Sequence, residues 1–378
     1  MQDIYYKKRL RLLINIETAN PPNKVSQALA TEELKKRMSV RPAIGRMIDS
    51  ASIHSGINSR YFVVADANTA NGEKFYSKDG EYIKPGTEAR MIQYERWSKI
   101  LTKEAVGKLF EKDGIAPAEI NRLITISCTG FFAPGLDYFL MNEFGIPVSA
   151  KRTNIGFMGC AASLIGFNSI LESLNTSDAI EINALMVSVE LCSLHLQTEP
   201  SRDNILANMI FADGAGAALF TNSKHHKDKV KLDLIFTESF LLKNSASFMG
   251  WKIGNYGFEM MLSSDLPKII LEKAVPQLVN ILQSHGIRPD EVSSWALHPG
   301  GRAILDSLQN GLNLSDEKMK PSRTVLKNYG NMSSASILFV LKEIISLNQI
   351  MENAYCCAVA FGPGLTMEVS VFKGAKCF

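Results

Sequence analysis

The segment AKRTNIGFMGCAASLIGFNSIL, which runs through Cys160, reappears in outline as SRTVLKNYGNMSSASILFVLKEI, which runs through Asn331, and the two named residues are 171 positions apart. A second pair keeps almost the same spacing: Cys128 and His298 each close an apolar run and lie 170 positions apart. Two independent features at one offset indicate an internal duplication, and duplicated halves share a fold. A third echo pairs Phe211-Ala-Asp-Gly214 with Phe361-Gly-Pro-Gly364 at an offset of 150, so the halves carry different insertions. The seam is expected near 222–232, in the polar stretch NSKHHKDKVKL, giving halves of 1–225 and 226–378. Charge runs of this kind are normally solvated loops, and His225 and His226 are read as part of one.

A chain of 378 residues with 46% hydrophobic content can bury a large core in two closely joined units. LITISC at 123–128 and SSWAL at 293–297 read as buried strands. The apolar positions Met91, Trp97, Ile100, Leu101, Val106 and Leu109 read as an amphipathic helix over 88–112, with room for one break. Strands alternating with helices make this an α/β chain with covered sheets. A formal net charge of +3 provides no long-range field for nucleic acid or an anionic membrane surface. The opening MQDIYYKKRLRLLINIETANPP holds no apolar run near the ~20 residues of a membrane span and no small-residue cleavage site. Cys128, Cys160, Cys192, Cys356, Cys357 and Cys377 show neither CxxC spacing nor an even scatter through loops. No metal site and no disulfide framework is therefore expected, and a reducing, cytoplasmic setting is.

Cys160 heads ASLIGFNSILESL, whose small and apolar residues go nearly all the way round and so read as a buried helix. Unpaired N–H groups and the helix dipole at that end favour thiolate, the reactive form. Most lone buried cysteines only pack, and Cys128, Cys192, Cys356 and Cys357, inside apolar runs, are read that way. His298 closes a strand in WALHPGG, where Pro299, Gly300 and Gly301 stop the strand and set the imidazole at its C-terminal mouth. Ligands collect at such mouths in α/β sheets. Asn331 alone would read as a helix N-cap. Its duplication partner is Cys160, however, and a pseudo-twofold axis would bring the two helix starts together, with His298 beside them. Gly362-Pro363-Gly364 reads either as a plain tight turn or as a backbone wall that bends close to a substrate chain and offers N–H donors.

In order along the chain, the Gly-x-x-Gly-Cys around Cys160, WALHPGGRAILD at 295–306, NYGNMSSAS at 328–336 and FGPGLTME at 361–368 resemble the type III polyketide synthases, the chalcone synthase-like enzymes of the thiolase superfamily. The resemblance runs from about residue 85 onward. It implies a thiolase-like duplicated αβαβα layered fold, no cofactor, acyl-CoA and malonyl-CoA as substrates, and a homodimer whose interface includes the 128–140 loop. Carried over by position, Cys160 is the acyl-carrying nucleophile, and His298 and Asn331 polarise the thioester carbonyl. Phe211 is the aromatic gatekeeper between CoA tunnel and cavity, and the second gatekeeper position falls at Met260. Cys192, His195 and Ser333 align with positions that line the cavity, and Glu190 lies in the same wall. Around the nucleophile GCAAS replaces the plant GCFAGG, CTGFFAPG at 128–135 is two residues shorter than the plant loop, and the basic residues that grip CoA are not matched cleanly between Arg46 and Arg60. These departures suggest a bacterial branch.

The implied chemistry starts from a resting thiolate at Cys160 paired with imidazolium His298, which takes an acyl group from CoA. A malonyl thioester then loses CO2, His298 and Asn331 stabilise the enolate, and the carbanion attacks the Cys160 thioester. Several rounds and a cyclisation to a pyrone, resorcinol or phloroglucinol-type product complete the scheme implied by the resemblance. A ketoacyl synthase III-like enzyme that condenses once and a catalytically silent binding homologue are the competing readings.

Overall fold

The computed structural model describes residues 10–38, 41–64, 66, 74–113, 115–175, 180–229, 231–347 and 349–375, and Cys377 lies outside them. Nine strands form one sheet: β1 (Leu12–Ala19), β2 (Arg122–Ser127), β3 (Lys151–Gly156), β4 (Asn183–Leu191), β5 (Asp213–Thr221), β6 (Leu232–Leu241), β7 (Val292–Leu297), β8 (Tyr355–Gly362) and β9 (Thr366–Gly374). Their order is β7-β8-β9-β6-β1-β5-β4-β2-β3. β1 and β6 meet over only two residue pairs, Leu12↔Asp233 and Leu13↔Leu232, so the sheet divides there into two wings.

Outward from that join the wings repeat one scheme. On one side β1 is antiparallel to β5, β5 is antiparallel to β4 and β4 is parallel to β2. On the other side β6 is antiparallel to β9, β9 is antiparallel to β8 and β8 is parallel to β7. The duplication seen in the sequence is thus the symmetry of the fold. β3, parallel to β2, is an edge strand whose counterpart stretch lies in the helix Asp316–Tyr329. The expected seam falls at the short helical turn Lys224–Lys229 between β5 and β6.

Two helices fill the space between the wings. Ala162–Leu174 packs on β2 and β6, and Ser336–Ser346 packs on β7 and β1, so each touches both halves. Burial all round is what their composition demands: Leu164, Phe167, Ile170, Ile337, Leu338 and Leu341 are exposed by 1% or less. Each such side chain contributes ~1.5–3 kcal/mol of burial free energy. The helix starts meet where the axis should pass, because Ser163 Oγ donates to the Ser334 carbonyl at 2.6 Å, and these residues are separated by the same 171 positions.

Outer helices complete the αβαβα layering. Thr87–Asp113 lies unbroken across β1, β4 and β5, while Asp316–Tyr329 covers the side of β7 and Arg302–Leu312 packs against Asp316–Tyr329. Leu101, Val106 and Leu109 face the core as expected, but Ile100 is 46% exposed, on the solvent side of the stripe that Leu101, Thr102, Ala105, Val106 and Leu109 bury. No described helix is long and apolar enough to cross a membrane.

Candidate active site

Cys160 lies in the turn Gly159–Ala161, immediately before the buried helix Ala162–Leu174. The turn needs its glycine twice over. Gly159 has φ +69°, and a Cβ there would sit 2.2 Å from Pro363 Cδ. Pro363 therefore packs directly on the nucleophile's turn. In the other half Gly330, with φ +73°, precedes Asn331, and a Cβ there would lie 2.8 Å from Arg60 Cγ. The two halves thus present Cys160 and Asn331 from the same kind of left-handed glycine turn.

Asn331 is held on three sides. Its N–H donates to Ile210 O at 2.9 Å, its carbonyl accepts from Ala212 N–H at 2.8 Å, and its side-chain Nδ2 donates to Gly300 O at 3.2 Å. Asn331 Oδ1 accepts from Ser333 N–H at 2.8 Å. His298 extends β7, its N–H donating to Val359 O at 2.9 Å. The imidazole is 3% exposed, and neither ring nitrogen finds a hydrogen-bond partner among the described residues. Buried polar atoms normally have partners, so the hydrogen-bonding capacity of His298 is directed at whatever enters the pocket. Cys160, His298 and Asn331, which come from three distant segments, line one cavity of about 690 Å³.

Two models of known families cover most of the chain: "Chalcone and stilbene synthases, C-terminal domain" over residues 233–376 and "FAE1/Type III polyketide synthase-like protein" over residues 67–239. The 1,3,6,8-tetrahydroxynaphthalene synthase of Streptomyces peucetius is 27% identical over 360 residues, 95% of this chain and 92% of that one. The crystal structure of PKS-I from the brown alga Ectocarpus siliculosus superposes with a TM-score of 0.89 at 29% identity, over 97% of this chain and 98% of the other. That of 1,3,6,8-tetrahydroxynaphthalene synthase from Streptomyces coelicolor gives 0.85 at 25% identity, over 97% and 99%. This chain is a chalcone synthase-like type III polyketide synthase by homology. It is an acyltransferase of the thiolase superfamily.

The electrostatics of the synthase depart from one expectation. Burial pushes the Cys160 thiol up to about 12, while Ser333 and Asn331, which hydrogen-bond to it, pull the other way and the nearby Glu190 carboxyl adds to the rise. Burial also pushes His298 down to about 3. No hydrogen bond joins the two side chains among the described residues. Desolvation of each charge thus works against the expected resting thiolate–imidazolium pair, in opposition to the helix end that favours the thiolate.

The polyketide synthase places the remaining predicted residues in three groups. Phe211 and Met260 stand together at the junction of the main cavity, a side pocket of about 20 Å³ and a cavity of about 100 Å³ beyond it. Cys192, Ser333 and Pro363 line the side pocket with Cys160. His195 lines only the outer cavity, where it is fully satisfied: Nε2 donates to Thr129 O at 2.7 Å, Nδ1 accepts from Phe258 N–H at 3.0 Å, and the ring stacks on Phe258 at 4.2 Å. Of the glycine-proline-glycine turn, Gly362 abuts Met158 O and Gly364 faces away, its N–H donating to Met249 O at 3.3 Å and its carbonyl accepting from Ser245 Oγ at 2.6 Å. The turn is a wall through Pro363 rather than a set of N–H donors.

Glu190 is fully buried behind the nucleophile, where Oε2 accepts from Cys128 N–H at 3.0 Å and Thr129 Oγ1 at 2.8 Å, and Oε1 accepts from Ser334 Oγ. Desolvation raises its pKa against these bonds. Trp251, which donates to Cys128 O at 2.8 Å, and Met249 also enclose the side pocket. Both come from the hairpin Met249–Gly254 and Gly257–Leu262, and nothing in their spacing marked them in the sequence. Arg60 is 1% exposed and lines the outer cavity, not the main one. Arg46, Arg202 and Arg302 are exposed and line the opening of the main cavity. Among the described residues no three His, Cys, Asp or Glu side chains are grouped to hold a metal ion.

Proposed function

We propose that this enzyme loads an acyl group from CoA onto Cys160 and extends it by repeated decarboxylative condensation with malonyl-CoA, releasing a cyclised product of the pyrone, resorcinol or phloroglucinol type. The reading is carried by the meeting of Cys160, His298 and Asn331 in one cavity. In loading, the thiol proton passes to His298 as sulfur attacks the thioester carbonyl, which spares the buried pair a standing charge separation. In extension, the malonyl carboxylate loses CO2 beside apolar Phe211, and the enolate oxygen is received by Asn331 and His298. The carbanion then attacks the Cys160 thioester. Exposed Arg46, Arg202 and Arg302 suit the phosphates of CoA at the mouth. CoA thioesters are substrates, and the charge is handled by hydrogen bonds without a cofactor.

A homodimer is supported by the free edge of β3 and by exposed Phe131, Tyr138, Val148 and Met158 in the segments around it. The halves are taken as 1–225 and 226–378, a cytoplasmic setting follows from the cysteine usage, and a bacterial type follows from GCAAS and the shortened loop. Purified protein given malonyl-CoA and a panel of acyl-CoA starters, with mass analysis of products and of acylated Cys160, tests the activity. Products carrying several malonyl-derived units are expected. Single-condensation products throughout would favour a ketoacyl synthase III-like enzyme, and absence of Cys160 acylation would favour a silent homologue.

A further inference from the structure

Arg60 is a buried cation that the proposed mechanism leaves unused. It sits on the strand Ser59–Phe62, which pairs with Asn23–Ser26. Its NH1 donates to both Asn208 O and Phe211 O at 2.7 Å, and its Nε donates to Gln27 Oε1 at 3.1 Å. Gln27 in turn donates from Nε2 to Met209 O at 2.8 Å. Three carbonyls at the end of the helix Arg202–Ile210, which have no onward helical partner, are thus gathered by one guanidinium and the amide it orients. The same short stretch carries both the gate and the oxyanion donor. Phe211 caps that helix, while Ile210 O and Ala212 N–H are the backbone partners of Asn331. Gly330 has no side chain where Arg60 passes beneath it.

We infer that Arg60 is a positioning residue, whose guanidinium fork fixes the Phe211 ring and the Asn331 amide in one register for the decarboxylation half of the cycle. The inference rests on the condensing-enzyme reading. A planar fork with donors at fixed angles suits several carbonyls at once, and a lysine ammonium reproduces only part of it. A displacement of about 1 Å at a reacting group costs on the order of 10²-fold in rate. Loading of Cys160 depends chiefly on the thiol and His298 and meets this junction only through the Asn331 contact with the sulfur, so it is the less sensitive half-reaction.

The test compares two half-reactions in Arg60→Met, Arg60→Lys and Gln27→Leu: CO2 release from malonyl-CoA, and acyl transfer from a starter acyl-CoA to Cys160 followed by quench and intact mass. Both are expressed per Cys160 able to take the acyl group, which removes any loss of folded protein. Arg60→Met is expected to slow decarboxylation by about 10–100-fold while loading changes by less than about 3-fold. Arg60→Lys should recover part of the loss, and Gln27→Leu should fall between Arg60→Lys and the parent. Equal loss of both half-reactions, or decarboxylation within about 2-fold of the parent, overturns the role. Should Arg60→Met not fold, the other two variants decide by the same split. A parent enzyme that releases no CO2 from malonyl-CoA would instead sink the condensing reading itself.

Discussion

Gly159→Ala should disable the enzyme by geometry, and two other glycines allow the cause to be separated. Gly159 has φ +69°, a region that costs an L-residue ~1–2 kcal/mol. The new Cβ would also lie 2.2 Å from Pro363 Cδ, where ordinary contact begins near 3.4 Å, so the Cys160 turn or the proline must retreat by about 1.2 Å. Overpacking of that kind adds ~1–3 kcal/mol. The retreat moves the sulfur relative to His298 and Asn331, and a misplacement of about 1 Å costs on the order of 10²-fold in turnover. Gly286→Ala is the control for strain alone, since Gly286 has φ +72° and nothing within 4 Å of its hypothetical Cβ. Gly330→Ala is the counterpart in the other half, where the new Cβ would lie 2.8 Å from the Arg60 stem and 3.0 Å from Ile210 O. Measured by kcat/KM for product formation together with thermal unfolding, Gly286→Ala should lose stability and keep its turnover. Gly159→Ala should lose both, and Gly330→Ala should lie between. Were Gly159→Ala to turn over within about 3-fold of the parent, the packing of Pro363 on the nucleophile's turn would not be what sets the sulfur's position.

With burial holding the Cys160 thiol up, iodoacetamide alkylation of the substrate-free residue, followed by intact mass, is expected to accelerate by about tenfold per pH unit between pH 6 and 9. The thiol is pushed up to about 12, so its reactive fraction keeps growing through that range, and a flat profile would restore the thiolate–imidazolium pair. Asn331→Ala should cut malonyl-CoA decarboxylation by about 10²–10³, the usual cost of losing one oxyanion donor. A loss of less than about fivefold would remove it from that role. His195 and His298 both have folded values near 3 against an ordinary 6.5, so the stability they confer is present above about pH 6.5 and is lost as pH falls toward 3. The urea midpoint should therefore fall steadily between pH 6.5 and 4, less steeply in His195→Gln; a midpoint unchanged over that range in the parent would contradict the burial argument.

The catalytic arrangement was legible in the sequence because it is tied to features with long-range consequences. An offset shared by Cys160/Asn331 and Cys128/His298 implies two copies of one unit, and two copies around an axis leave little choice about which helix ends meet. Buried strands and helices were legible for a related reason: a stretch buried on all sides must be apolar all round, as Ile337–Leu341 is. The hairpin that contributes Trp251 and Met249 carried no such mark, since its strand Met249–Gly254 is half-exposed and mixed in polarity. His195 aligned with a cavity position, yet its two nitrogens are consumed by Thr129 and Phe258, partners set by a loop and a hairpin far off in the chain. The helix end that favours a Cys160 thiolate is visible in one segment, whereas the desolvation that opposes it depends on every segment that closes over the sulfur.

Symmetry of the fold and asymmetry of the chemistry meet at three pairs of positions. Cys160 is matched by Asn331, Cys128 by His298, and Glu190, near the end of β4, by Phe361, near the end of β8. The first half thus supplies the thiols and a buried carboxyl, and the second supplies the amide, the imidazole and an apolar ring. That partition is chemically necessary. A carboxyl on the substrate side would repel both the malonyl carboxylate and the enolate that follows it, so Glu190 is turned behind the nucleophile, where Cys128 N–H, Thr129 Oγ1 and Ser334 Oγ occupy its oxygens. Phe361, its counterpart, lines the main cavity beside His298 and Asn331, where an apolar surface favours loss of charge as CO2. Exchanging Cys160 and Asn331 would consequently not give a mirror-image enzyme, since the amide would lose Gly300 O, which holds its Nδ2, and would stand in front of the buried Glu190.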